Sequence, residues 1–153
     1  MSKPRYRWWG YVKNVIRDYK MLNEEYRALH EQSITANISG MPCGGGPSRG
    51  TENIALRELP KPKQMEYDAV KSAIAYTQRM KTGPERLKLI DLVFWKKSHT
   101  LSGAAMAINI SYDTAIDYHG DFIMLTAYFR GLIAYDELKG TQKFALKSQK
   151  DVL

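Results

Sequence analysis

The sequence predicts an all-α fold, an N-terminal helical arm followed by a helical domain that contains a helix-turn-helix. Three observations carry that prediction. Apolar residues recur three and four positions apart along separate stretches, the period of a buried helix face. No stretch alternates apolar and polar residues as a half-buried strand would. The breaks between periodic stretches hold Gly, Pro, Asn, Ser and Thr, which stop and cap helices. With 153 residues, 44% of them hydrophobic, the chain is long enough to bury a core.

The first element lies in a basic, aromatic arm over 1–37. Trp8, Val12, Val15, Tyr19, Leu22, Tyr26 and Leu29 alternate steps of four and three, which makes a heptad seam along one helix. Such a seam suits a homo-oligomer, and it equally suits packing on the chain's own later helices. Tyr6, Trp8, Trp9 and Tyr11 are interleaved with Arg5, Arg7, Lys13 and Arg17. Aromatics among cations fit base stacking and phosphate contact. The plainer reading is a core seam beside solvated cations.

Residues 38–50, ISGMPCGGGPSRG, have no periodicity and read as an exposed linker. Gly40 and Gly45 have the spacing of a Walker loop, but Gly46 and Pro47 stand where Lys and Ser or Thr are needed, so no nucleotide site is expected. A helical connector follows over 51–81. Thr51 caps a short helix through Leu59, which Pro60-Lys61-Pro62 interrupts. A second helix runs to about Met80, with Met65, Ala69, Val70, Ala73, Ile74, Thr77 and Met80 on one face. The next domain, 82–135, opens with Pro84 as the first residue of a helix that offers Leu87, Ile90, Val93 and Phe94 to a core.

The stretch TLSGAAMAINISYDTAIDYHGDF, 100–122, has the grammar of a helix-turn-helix. Thr100 caps a short helix, and Ala105 is small where two helices must approach closely. Ile108 and Ile110 bracket a turn in which Asn109 tolerates a left-handed backbone. Ser111 caps a second helix that buries Ala115, Tyr118 and Phe122. Two helices so joined cross steeply and present the second outward. A helical hairpin that only completes a core would share much of this pattern. The remainder, 136–153, is a basic tail with lysines at 139, 143, 147 and 150, expected to fray.

The formal net charge is +7, and its placement is uneven. Residues 1–38 and 39–84 each hold seven cations and four anions, whereas residues 85–135 hold five of each. A basic surface suits a phosphate-rich partner. One cysteine, Cys43, excludes an internal disulfide, and His30, His99 and His119 have no metal-ligand spacing, so no metal or other cofactor is expected. No grouped polar residues point to catalysis, and no enzyme or small-molecule substrate is expected. His119 and Asp121 read as solvated side chains. Without an apolar run of about 20 residues or a secretory signal, the reading is a cytoplasmic protein that avoids membranes.

The segment ERLKLIDLVFWKKSHTLSGAAMAINISYDTAIDYHGDFI resembles the helix-turn-helix of ArpU/RinA-type phage transcriptional regulators, which are similar to the promoter-reading C-terminal domain of bacterial sigma factors. The upstream layout, a helical segment followed by GGGPSRGTENIALREL, extends the resemblance to about Leu132. It implies a sequence-specific, double-stranded-DNA-binding regulator of phage or prophage origin that switches on late genes and is encoded beside the packaging genes, with RNA polymerase as a possible partner. It places Ser111, Tyr112, Thr114, Ile116 and Asp117, with Asp113, on the helix that faces the major groove. Arg or Lys is usual at 112, 116 and 117 in related motifs, so this chain departs from the pattern. Asp can still accept a bond from cytosine N4, provided that phosphate affinity comes from elsewhere. Lys96, Lys97, His99 and Thr100, with Arg5, Arg7, Lys13 and Arg17, are the expected phosphate contacts. Two other readings remain open: a small-terminase-like packaging subunit, and a protein-interaction module whose acidic helix docks on RNA polymerase or a host protein.

Overall fold

The computed structural model describes residues 6–35 and 59–141, and its described residues form helices without strands. Six helices follow in order: α1 (Trp9–Thr35), α2 (Lys61–Gln78), α3 (Gly83–Ile90), α4 (Leu101–Ala107), α5 (Tyr112–Arg130) and α6 (Tyr135–Thr141). Between α3 and α4 the helix widens into one π-helical stretch, Asp91–Trp95. The linker expected over 38–50, the capped helix from Thr51 and the tail beyond 141 lie outside the described residues.

α5 is the axis of the molecule. Residues 121–127 are all buried, so the helix needs neighbours on every side. It has them: α1, α2, α3, α4 and α6 all pack on it. Phe122, Ile123, Met124, Leu125 and Ala127 join Val12, Val15 and Ile16 of α1, Val70 and Ala73 of α2, Ile90 and Phe94, and Leu138 of α6 in one core. Thr126 is completely buried in this run because its hydroxyl donates to Phe122 O at 2.9 Å. Gly131, in the left-handed conformation at φ 84°, ends the helix, and Leu132 N closes back on Ala127 O at 2.9 Å.

The heptad seam of α1 is therefore occupied within the chain. Val12, Val15 and Leu22 are buried, and Trp8, Tyr19, Tyr26 and Leu29 pack against the same clusters. The tyrosines at seam positions find aromatic partners: Tyr67 of α2 stacks on Tyr19 with centroids 5.6 Å apart and on Tyr26 at 5.0 Å. Trp95 continues the row beyond Tyr19 and donates from Nε1 to Ile16 O at 2.9 Å. Of the two readings of the seam, packing on the chain's own later helices is the one the structure shows, and the arm is a wall of the domain.

Pro60 sits at the N-cap of α2 and Pro62 in its first turn, where a missing N–H costs nothing. Ala69, Val70, Ala73 and Thr77 are buried as expected, but Met65 is 47% exposed and Tyr67 takes its place in the core. Gly83 opens α3 against the end of α2, where a Cβ would strike the Thr77 carbonyl oxygen. Pro84 follows in the first turn, as expected. The π-helical stretch then adds a residue to the turn. Leu89, Ile90 and Phe94 can thereby all be buried, which an unbroken helix would spread over a wider arc. α6 runs into the expected tail, and Leu138 is fully buried against α5.

Candidate nucleic-acid interface

The local grammar of 100–122 closes as the sequence predicts. Thr100 Oγ1 accepts from Gly103 N at 3.2 Å and caps α4. Asn109 takes φ 58°, and Ile110 N reaches back to Ala105 O at 3.0 Å. Ser111 Oγ accepts from Thr114 N at 3.2 Å and caps α5. Ala104, Ala105 and Ala115 are buried with Leu89 and Tyr118, so α4 and α5 approach through methyl groups. Lys97, at φ 52°, is the other described non-glycine residue with positive φ, so a left-handed residue lies just before α4 and another just after it.

The outward arc of α5 holds Tyr112, 45% exposed, and Ile116, 44% exposed, with Asp113 and Asp117 also exposed. Met106 at the end of α4, 77% exposed, was not singled out from the sequence. Ser111 and Thr114, expected to read bases, are engaged with each other, their hydroxyls 2.7 Å apart. Tyr112, Ile116 and Asp117 remain free to meet a partner. Residues 101–129 contain no Lys or Arg, so the face itself carries no cation.

The cations lie to its side. Lys13, Arg17 and Lys20 are spaced four and three apart on α1, which puts them on one stripe. Lys13 and Arg17 sit close enough to His119 for their charge to act on it. His119 follows Ile116 by three residues on α5, less than one turn. Lys20, not singled out from the sequence, and Lys96 share Asp91, at 3.4 and 3.1 Å. Both lysines keep more than half of their side chains exposed, so these pairs are weakly held and open to exchange. Lys97 and His99 are exposed, with His99 Nδ1 2.7 Å from Ser98 Oγ. Arg7 is exposed, and Arg5 lies outside the described residues.

Two expectations are corrected. His119 is not a solvated surface histidine; it stacks face to face on Phe94 with centroids 5.1 Å apart. Burial first, and then the charges of Lys13 and Arg17, lower its pKa to about 4, so it is neutral at pH 7. Asp121 does not face solvent. It is 6% exposed and receives Arg86 Nη1 at 2.8 Å, while the guanidinium lies 4.2 Å from the Tyr118 ring centre and its Nε donates to Thr82 Oγ1 at 2.9 Å. In the arm the plainer reading holds for Tyr6, Trp8 and Trp9, which pack on the core with Tyr6 stacked on Trp8 at 4.8 Å, while Tyr11, 38% exposed, donates to Glu66 Oε1 at 2.7 Å.

Among the described residues no group of His, Cys, Asp and Glu could hold a metal ion, and no helix is long and apolar enough to cross a membrane. In comparisons with known proteins, no protein family, curated protein or solved structure matches the chain.

Proposed function

We propose that the chain is a sequence-specific transcriptional regulator of phage or prophage late genes, binding double-stranded DNA through 100–122. It is a non-enzymatic, cytoplasmic protein in this reading. The observation that carries the proposal is one arrangement. A capped α4, a left-handed Asn109 and a capped α5 form a helix-turn-helix whose second helix turns Tyr112, Ile116 and Asp117 outward, and Lys13 and Arg17 lie beside His119, less than one turn along that helix. Base contact and phosphate contact then fall to different helices: α5 specifies, while α1 and the residues before α4 hold the backbone. With the seam closed inside the chain, a ring-forming packaging subunit would need another surface.

Exposed Met106, Tyr112 and Ile116 beside two carboxylates favour a second reading, a module that docks on RNA polymerase or a host protein. Fragments of the phage and host genomes, bound to the protein at about 150 mM salt and sequenced, test the first reading. Enrichment of one site ahead of a late operon supports it, and no enrichment from folded protein refutes it. Asp117→Lys separates the two: it tightens DNA binding if α5 lies in the groove, and weakens partner capture if α5 meets a protein.

A further inference from the structure

The outward face of the helix-turn-helix has an unusual chemistry for its position. It offers apolar surface from Met106, Tyr112 and Ile116 and carboxylate acceptors from Asp113 and Asp117. It lacks the Arg or Lys fork that reads guanine, which shows only acceptors, N7 and O6, in the major groove. Carboxylates aimed at those acceptors would meet like with like. Cytosine offers an N4 amino donor, and thymine offers a C5 methyl. Tyr112 and Ile116 are four residues apart, as are Asp113 and Asp117, so an apolar row and an acceptor row run next to each other along the exposed arc. One base edge carries both complements, 5-methylcytosine, with its methyl at C5 and its donor at N4.

Resting on the DNA-binding reading above, we propose that this face selects pyrimidines through their C5 methyl groups: thymine, and C5-methylated cytosine over plain cytosine. Ile116 and Tyr112 enclose the methyl, and Asp117 accepts from N4 where the base is cytosine. The cations of α1 and of the segment before α4 hold the phosphates, so the carboxylates need not supply affinity.

The full chain is used to select duplexes from a random library, and the selected duplex is remade with uracil for thymine, and separately with 5-methylcytosine for cytosine. Uracil removes one methyl group and leaves the pairing edge intact. Each contacted thymine so replaced weakens binding about fourfold, the effect of one methyl-sized group leaving a buried contact, and methylation of a contacted cytosine tightens it by about the same factor. Ile116→Ala, at a 44% exposed position, binds the thymine and 5-methylcytosine duplexes more weakly, down to the level of their uracil and cytosine counterparts, so both differences are lost. A selected duplex indifferent to both substitutions overturns the inference while leaving DNA binding standing. Methyl sensitivity that survives in Ile116→Ala also overturns it, because the methyl is then read elsewhere or through DNA shape. Failure to select any duplex removes the DNA-binding reading itself, and the inference with it.

Discussion

His119 is an imidazole held neutral by its surroundings. Phe94 covers one face of the ring, and Lys13 and Arg17 make a further positive charge unfavourable. The folded-state pKa of about 4 lies below the unfolded value of 6.5, so the neutral form is the one that folding favours. The stability this supplies is complete above pH 6.5 and is lost as pH falls towards about 4. The loss amounts to up to about 3 kcal/mol, from a pKa difference near 2.5. Urea titrations at pH 7 and pH 5 should show the drop, and His119→Gln, which cannot titrate, should flatten it. Asp121 and Arg86 show the opposite case, two charges that tolerate burial because each answers the other. Neither burial was legible in the sequence: His119 and Asp121 flank Gly120 on a stretch of polar residues, and their partners Phe94 and Arg86 lie far back along the chain.

α4 is short, seven residues, and is placed by what flanks it. Asn109 accepts the left-handed backbone readily, so the sequence announces that turn. Lys97 does not, since a long side chain at positive φ is strained by roughly 1 kcal/mol. A glycine there would relieve the strain, yet the position holds an exposed cation at the approach to α4. Lys97→Gly should leave thermal stability unchanged or higher, and it should weaken DNA binding if the cation contacts phosphate. Calorimetry beside a filter-binding titration measures both, and a loss of stability without loss of affinity would assign Lys97 to the fold alone. The caps, the small residues and the turn of 100–122 were readable because each is a local event, decided within four or five residues. The π-helical stretch was not, because it is the packing of Ile90, Phe94 and Trp95 on α1 and α5 that favours the extra residue.

At the scale of the molecule the arm and the helix-turn-helix pack together, and the heptad seam was open to two readings for a physical reason. A stripe spaced four and three records only that a helix has a partner; the partner's identity depends on what else the chain can bring to it, here Tyr67, Phe94 and α5. Its burial also fixes Lys13 and Arg17 beside α5, which turns a statement about packing into one about charge. If the chain binds DNA as proposed, neutralising both as Lys13→Gln and Arg17→Gln should lower affinity for all duplexes alike and reduce the slope of log K against log salt by about 0.9 for each phosphate that is no longer neutralised. A change confined to one sequence would place these side chains on bases instead. The double variant should also raise the His119 pKa, visible in its proton NMR titration, since one of the two influences holding it down is gone.

The length of α5 has a last consequence. The same 19-residue rod that turns Tyr112, Ile116 and Asp117 to the outside carries, over 121–127, the longest buried run among the described residues. Its outward end cannot tilt or slide as a rod without dragging Phe122 to Ala127 through five packed neighbours. Whatever meets that face therefore finds a helix axis already placed by folding. The backbone share of the ordering entropy is settled before the encounter, leaving the partner to do the bending.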